Sequence, residues 1–284
     1  MTDRSAADAY VELMKGCLTR SLFPEQHEPL RPAPGTWKQR AYEPVRRVLA
    51  RRGLELVRAT PADPTAVEDG RAWPAHAETM VGLRRLDAIA DAVRTLDREQ
   101  VPGDLVETGV WRGGSVIFMR ALLRALGDRD RVVWVADSFQ GLPKPDVGRW
   151  PADASNDLWK HDALAVSQEQ VERNFARYGL LDDRVRFLPG WFEDTLPSAP
   201  IERIALLRLD GDMYGSTMTA LDALYPKLSP GGIVIVDDYG AYPECRRATD
   251  DFRREHGIDV PLVQTDWTGV WWRRPGDEGQ PAGG

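Results

Sequence analysis

The strongest constraint on the fold is a regular alternation of strand-like and helix-like segments that begins near Gly103. The strand-like segments are short runs of Val, Ile and Leu, and the segments between them repeat their apolar residues at helical spacing. Strands that are apolar on both faces are typical of a parallel sheet covered by helices on both sides. We therefore predict an α/β fold. The predicted strands are 105–107, 131–136, 185–188, 204–209 and 233–236, and the predicted helices are 115–126, 167–178, 217–225 and 244–256.

The end of the chain departs from this alternation. Two further strand-like runs, near 260–263 and 270–272, are separated only by a short link at 266–269. Because parallel neighbours need a longer crossover, these two strands are predicted to be antiparallel. The sequence thus indicates a Rossmann-like sheet of seven strands with an antiparallel last strand.

The first 98 residues lack the alternation. Helical periodicity extends to about residue 25, over 43–52 with Pro44 in the first turn, and over 78–96, with proline-rich stretches between. We interpret residues 1–98 as an N-terminal helical cap and residues 99–274 as the core. Residues 138–165 form a long polar loop within the core, and residues 275–284, rich in Gly, Pro and charge, are predicted to be a disordered tail.

Composition excludes several classes of protein. The chain has a formal net charge of -7 and two cysteines, Cys17 and Cys245. A negative balance opposes nucleic-acid binding, because neutralising phosphates requires a clustered positive field. Two distant cysteines predict neither a disulfide framework nor a zinc site. No segment approaches the roughly 18 apolar residues of a membrane span, so we expect a cytoplasmic protein that does not bind membranes.

A glycine-containing turn follows the first core strand and reads Glu107-Thr-Gly-Val-Trp-Arg-Gly-Gly-Ser115. Ligands of open α/β sheets bind outside the carboxyl ends of the strands, and glycine allows close approach of the backbone. Trp111 takes the place of the second glycine of the dinucleotide pattern, which disfavours a pyrophosphate. Such a turn also occurs as a plain tight connection. Asp137, at the end of the next strand, favours a cofactor site, because its carboxylate can accept hydrogen bonds from ribose hydroxyls.

Acidic residues follow two neighbouring strands. Asp210 and Asp212 come after strand 204–209, and Asp237 and Asp238 come after strand 233–236. Adjacent strand ends lie roughly 5 Å apart, and carboxylates that close repel one another unless they are protonated or bind a cation. Oxygen ligands without His or Cys select Mg²⁺, Ca²⁺ or Mn²⁺. We predict a metal site at Asp210, Asp237 and Asp238; the alternative is helix capping or solvent exposure, and Asp212 fits capping best.

Such a site would suit transfer to a hydroxyl group. A hydroxyl is a weak nucleophile, and coordination to a dication lowers its pKa while a nearby carboxylate accepts the proton.

Several motifs in one order resemble the macrocin O-methyltransferase family, which includes mycinamicin and novobiocin deoxysugar methyltransferases. The motifs are Glu107-Thr-Gly-Val-Trp-Arg-Gly-Gly, Asp137-Ser-Phe-Gln-Gly-Leu-Pro, Gly190-Trp-Phe-Glu-Asp-Thr-Leu, Arg208-Leu-Asp-Gly-Asp-Met-Tyr and Val236-Asp-Asp-Tyr. The likeness extends from the helix at Tyr10 to about Trp272. It implies a class I methyltransferase fold and an S-adenosylmethionine-dependent O-methyltransferase acting on a sugar hydroxyl of a glycosylated antibiotic precursor.

The resemblance also implies roles for particular residues. Mg²⁺ would bind Asp210, Asp237 and Asp238, with Asp210 as the general base. Residues 138–165 would be a mobile lid over the acceptor, the N-terminal elements would form a homo-oligomer, and residues 29–36 would lie on the acceptor side. His161 in this segment receives no role, since a lone histidine there is more often a binding or surface residue. The implied cofactor-binding residues are Thr79, Met80, Glu107, Gly109, Gly113, Ser115, Asp137, Ser138, Ser167 and Phe192.

Two alternatives stay open from the sequence. A metal-dependent methyltransferase of a phenolic or catechol acceptor would need the same ligands and a weaker base. An NAD-dependent oxidoreductase would share the sheet, but Trp111 in the glycine turn opposes it. Neither the sugar, the hydroxyl nor the aglycone follows from the residues.

Overall fold

The computed structural model describes residues 5–23, 25–30, 32, 35–61 and 63–276, so that most of the predicted tail, 277–284, lies outside the described residues. Elements are numbered along the chain. The helices are α1 (Ala6–Leu18), α2 (Trp37–Ala50), α3 (Pro64–Glu68), α4 (Leu83–Arg98), α5 (Gly114–Leu126), α6 (Gln168–Arg177), α7 (Phe192–Thr195), α8 (Tyr214–Leu224) and α9 (Pro243–Glu255). The strands are β1 (Glu25–Pro29), β2 (Val57–Pro61), β3 (Asp104–Thr108), β4 (Val133–Asp137), β5 (Val185–Pro189), β6 (Ile204–Leu209), β7 (Leu228–Val236), β8 (Val263–Gln264) and β9 (Val270–Arg273).

Seven strands form the central sheet in the order β5-β4-β3-β6-β7-β9-β8. Strands β3 to β7 are parallel, and β9 lies antiparallel between β7 and β8. The predicted sheet of seven strands with an antiparallel last strand is therefore confirmed. The strand order reverses between β3 and β6, so that their carboxyl ends border the crevice where ligands of such sheets bind.

Both faces of the sheet are covered by helices. Successive side chains of one strand point to opposite faces and therefore pack against different helices. Val133 and Val135 of β4 pack with α1, α4, α5 and α6 on one face. Trp134 and Ala136 of the same strand pack with α8 and α9 on the other face. Burial on both faces explains why these strands are nearly continuous in apolar residues.

Two N-terminal helices belong to this packing. Helix α1 contributes Val11, Met14 and Leu18 to the same core cluster as α4 and α5. It ends well before residue 25, where we predicted its end, because Arg20 adopts a left-handed backbone (φ 61°) and Leu22 turns back onto Gly16. Helix α4 begins at Leu83 and not at residue 78, and its buried face includes Arg85.

The rest of the N-terminal segment differs more from the prediction. Strands β1 and β2 pair as an antiparallel ribbon, which the polar, proline-containing sequence did not indicate. Placing Pro44 in the first turn of its helix was wrong. The side chain of Thr36 accepts a hydrogen bond from the backbone N–H of Gln39, so α2 begins at Trp37 and Pro44 lies inside it. Every side chain of α2 is exposed or half-buried.

Among the described residues, no helix combines the length and the hydrophobicity that a membrane crossing requires.

Candidate active site

A cavity opens at the carboxyl ends of β3, β4 and β6. The empty space within it, including the solvent at its open mouth, amounts to about 1150 Å³. The segment 138–165 lies over it and contains three single-turn 3-10 helices. Residues lining the cavity include Met80, Gly109, Trp111, Asp137, Ser138, Gly141, Leu142, Lys144, Arg149, Trp150, Leu164, Trp191, Phe192, Glu193, Asp210, Gly211 and Asp212.

The glycine turn brings two strand ends together. Gly109 has a φ of 83°, and a Cβ added there would overlap the carbonyl oxygen of Asp210. Glycine is therefore required at this position both by the backbone conformation and by the close approach of the chain. Gly113, with a φ of 85°, is the N-cap of α5, and its neighbour Gly114 packs against Glu78 and Thr79.

Asp137 holds the glycine turn in place. Its Oδ2 accepts a hydrogen bond from the N–H of Val110 at 2.7 Å, and its Oδ1 accepts one from the N–H of Phe139 at 2.7 Å. Burial raises the pKa of Asp137, and these backbone donors act in the opposite direction. The carboxylate lines the cavity while it also positions the turn that the cofactor would contact.

The predicted acidic cluster is present. Ligand oxygens of Asp210, Asp237 and Asp238 all lie within 4.8 Å of one another. Asp237 and Asp238 are buried, whereas the side chain of Asp210 is 29% exposed and faces the cavity. The parallel ends of β6 and β7 thus bring three carboxylates from distant parts of the sequence to one point.

Two buried arginines, which the sequence analysis missed, enter this cluster. Arg208 is 0% exposed and pairs with Glu107, with Asp237 and, at 2.9 Å, with Asp210. Arg85 reaches in from α4 and pairs with Asp237 and with Asp266. Part of the repulsion that we assigned to a cation is therefore relieved by guanidinium groups. The sequence signal was an arginine within the apolar strand β6, because a buried charge needs partners.

Among the described residues of this cluster, acidic side chains still outnumber the arginines. Burial, followed by repulsion from Asp210 and Asp237, raises the pKa of Asp212 to about 8. Burial and the neighbouring carboxylates also raise the pKa of Asp238 well above its ordinary value. Burial acts to raise the pKa of Asp237 as well, but Arg208 and Arg85 hold it below the ordinary value. Asp238 and Asp212 are thus the carboxyl groups with least compensation.

Asp212 does not cap a helix, and the capping interpretation was wrong. It adopts a left-handed backbone (φ 57°) and lines the cavity, and its N–H donates to Asp238 Oδ2 at 3.2 Å. The N-cap residue of α8 is Met213, and Asp153 from the segment over the cavity caps the helix.

The predicted cofactor residues divide into two groups. Met80, Gly109, Asp137, Ser138 and Phe192 line the cavity. Outside the lining are Thr79, whose hydroxyl accepts the N–H of Val81; Glu107, buried against Arg208; Gly113 and Ser115, at the start of α5; and Ser167, which caps α6 in a neighbouring cleft. His161 is exposed and also lies outside the lining.

Residues 7–274 match the profile of the family described as Macrocin-O-methyltransferase (TylF). A curated relative from Streptomyces olivaceus, 8-demethyl-8-(2,3-dimethoxy-alpha-L-rhamnosyl)-tetracenomycin-C 4'-O-methyltransferase, is 58% identical over 213 residues, which cover 75% of this chain and 80% of the relative. Mycinamicin III 3''-O-methyltransferase of Micromonospora griseorubida is 53% identical over 74% of this chain and 83% of its own length. Demethyldecarbamoylnovobiocin O-methyltransferase of Streptomyces niveus is 54% identical over 72% and 79%, respectively.

Solved structures agree with these relatives. The O-methyltransferase NovP superposes with a TM-score of 0.81 at 43% identity, covering 95% of this chain and 99% of that one. The calicheamicin methyltransferase CalS11, at 20% identity and a TM-score of 0.55, covers 86% of this chain and 95% of its own and supports the fold alone.

Proposed function

The chain belongs to the macrocin O-methyltransferase family, and we propose that it methylates a sugar hydroxyl of a glycosylated natural product in antibiotic biosynthesis, with S-adenosylmethionine as methyl donor. The observation that carries this proposal is identity above 50% to three antibiotic O-methyltransferases, one of which is named for a substrate with a rhamnosyl sugar. Family membership leaves no place for the NAD-dependent oxidoreductase.

Different residues that line the cavity would make different contacts with the cofactor. S-adenosylmethionine would supply an electrophilic methyl group: the acceptor oxygen would form the new C–O bond, and the electron pair of the broken C–S bond would stay on the sulfur of S-adenosylhomocysteine. Gly109 would let the backbone approach the ligand, Asp137 would offer a carboxylate to the ribose hydroxyls, and Phe192 would offer an aromatic ring. Met80 and Ser138 complete the contacts. Residues 138–165, which we keep as the proposed lid, exclude water from the reacting atoms.

The residues at the strand ends fit a divalent cation. Asp210, Asp237 and Asp238 present converging oxygens, and the unbalanced negative charge around them favours a positive ion. Their all-oxygen donor set is the one that Mg²⁺ prefers. A bound dication would lower the pKa of a hydroxyl that coordinates it. In this arrangement Arg208 and Arg85 hold Asp237 in orientation, and Asp210 faces the acceptor.

Two carboxylates compete for the role of general base. Asp210 is the residue that we predicted, and it accepts a bond from Arg208, which weakens it as a proton acceptor. Asp212 also faces the cavity, and burial together with repulsion from Asp210 and Asp237 raises its pKa, which makes it a stronger proton acceptor than an ordinary aspartate. Binding of Mn²⁺ serves as the probe of the metal site. Asp210→Asn should lose both Mn²⁺ binding and the rate of methyl transfer, while its affinity for the cofactor is retained. If Asp212→Asn retains Mn²⁺ binding but loses rate, Asp212 is the base; if it keeps full rate, Asp210 is.

The acceptor class is tested by a direct comparison. Glycosylated natural products, their aglycones and simple catechols are incubated with isotopically labelled S-adenosylmethionine and analysed by mass spectrometry. We expect label on the sugar of a glycoside, loss of transfer in EDTA, and recovery with Mg²⁺. Label on catechols but on no glycoside would replace the proposal with the phenolic alternative. Full transfer in chelator would remove the metal from it.

Oligomer formation is part of the proposal. The side chain of Trp37 on α2 is 74% exposed, and Val45 and Val48 are also exposed. Large apolar side chains grouped on one helix are typical of protein interfaces. We propose a homo-oligomer that uses this N-terminal surface, which sedimentation of the wild type and of Trp37→Glu tests: a monomeric wild type would contradict it.

The free thiols of Cys17 and Cys245 support a reducing compartment such as the cytoplasm.

A further inference from the structure

Asp153 lies in the lid segment, yet it hydrogen-bonds to a helix that starts 61 residues later in the sequence. Its Oδ1 accepts the N–H of Tyr214 at 2.7 Å, and its Oδ2 accepts the N–H of Gly215 at 2.9 Å. Asp153 is buried, with 1% of its surface exposed. Helix α8 begins with N–H groups that its own turn leaves unpaired, and the apolar N-cap residue Met213 does not supply an acceptor. The lid therefore provides the cap of α8.

A second contact fixes the same lid turn to the same helix. Trp150 lies against Gly215, where an added Cβ would come within 2.5 Å of the indole Cδ1 and 2.9 Å of its Nε1. The rings of Trp150 and Tyr214 are 5.6 Å apart. The N–H of Asp153 donates to the carbonyl of Trp150, so that both side chains move with one turn. The lid and the first turn of α8 are thus packed as one unit.

The turn that this unit holds contains Asp212. A non-glycine residue with a φ of 57° is strained, and such a conformation persists only where surrounding contacts impose it. The contacts on one side of Asp212 come from Asp238, which accepts its N–H. Those on the other side come from the start of α8, whose amides Asp153 binds.

We propose that Asp153 is a positioning residue, which fixes the Gly211–Met213 turn only while the lid is closed and thereby couples lid closure to the placement of the Asp212 carboxylate. The inference rests on the proposed function, in which Asp212 lines the cavity and is one of two candidate general bases. Lid opening for acceptor entry then relaxes the turn, and closure restores it. The site is complete only when it is shielded from water.

The test uses the full-length protein and three variants. Asp153→Ala removes both acceptors, and Asp153→Asn keeps one side-chain oxygen. Asp157→Asn is the matched control, because Asp157 is an exposed acid of the same segment. We expect hydrogen exchange at the Tyr214 and Gly215 amides to accelerate roughly tenfold in Asp153→Ala. Exchange should accelerate less in Asp153→Asn and remain unchanged in the control.

Trypsin reports on the lid itself, because Arg149 and Lys160 are exposed residues within it. Cleavage at these two sites should be faster in Asp153→Ala. Gly215→Ala provides an independent perturbation. Alanine is the better helix former, so a purely local effect would stabilise α8, whereas the clash with Trp150 should open the lid and speed cleavage.

Kinetics then separate positioning from mere stability. In Asp153→Ala we expect kcat to fall on the order of ten- to a hundredfold, with S-adenosylhomocysteine affinity changed by less than about threefold and partial recovery in Asp153→Asn. Unchanged amide exchange, or an unchanged kcat beside faster exchange, would overturn the inference. Exchange and proteolysis are measured without cofactor or acceptor. If the proposed sugar acceptor proves wrong, those two measurements therefore still test the role of Asp153.

Discussion

Replacing Arg208 with methionine removes the guanidinium group that holds three carboxylates together. Arg208, Glu107 and Asp237 are 0%, 1% and 3% exposed, so water cannot take over the role of the missing charge. Methionine keeps most of the aliphatic volume and leaves the acidic side chains without their partner. Breaking a buried ion pair in this way costs about 3–5 kcal/mol, a large part of the roughly 5–15 kcal/mol by which a folded protein is stable.

The assay is urea unfolding in EDTA, followed by circular dichroism, at a pH above the value of about 8 to which burial raises the pKa of Glu107, so that this carboxyl group is ionised. Arg208→Met should lose about 3–5 kcal/mol in the free energy of unfolding. Adding Glu107→Gln removes one of the stranded charges and should restore about 0.5–3 kcal/mol, the size of coupling between contacting groups. Arg94→Met is the control, since Arg94 pairs with Asp8 at 2.9 Å near the surface and such pairs contribute about 0–1 kcal/mol.

Two results would refute this reasoning. If Arg208→Met and Arg94→Met lose the same small amount, the guanidinium does not compensate the buried acids. If Glu107→Gln brings no recovery in the double variant, Glu107 is not one of the charges that Arg208 neutralises.

Asp137→Ala should weaken S-adenosylhomocysteine binding measured by calorimetry, by about 1–3 kcal/mol, because the ribose loses an acceptor and the glycine turn loses its anchor; unchanged affinity would contradict the assignment. Gly109→Ala should leave little folded protein in thermal unfolding, since its φ of 83° and the carbonyl of Asp210 exclude a Cβ; a wild-type melting temperature would contradict it. In chelator, the free energy of unfolding should fall as pH rises towards 8, because burial raises the pKa values of Glu107 and Asp212 from 4.5 and 3.8 to about 8, so that the folded state binds more protons than the unfolded state across this range. Urea unfolding across this range checks the sign, and Glu107→Gln with Asp212→Asn should flatten the slope; stability that rises with pH would contradict it.

The sheet was predictable from the sequence because its strands are buried on both faces. Runs such as Ile204–Leu209 are too apolar and too short for a surface helix, and their ends carry the polar residues of the site. Once the strands are parallel and adjacent, the meeting of Asp210 with Asp237 and Asp238 follows from the topology. Residues that lie on one strand end were therefore foreseen.

Contacts between distant loops and helices were not foreseen. Arg85 reads as an exposed charge on an amphipathic helix, and its burial depends on how α4 packs on the sheet. Asp153 lies in a polar loop without periodicity, so its role at the start of α8 has no local signal. The ribbon of β1 and β2 likewise forms through pairing between segments whose own composition does not favour strands.

The Arg85 contact has a consequence for chimeras between related enzymes. Arg85 comes from the N-terminal segment, Asp237 from the end of β7 and Asp266 from the link before β9. A recombination breakpoint between α4 and β3 would therefore draw the members of one charge network from different parents. With a breakpoint before Leu83, Arg85, Asp237 and Asp266 all come from the same parent. Exchanges of the acceptor-side segment, residues 29–36, are therefore best made there.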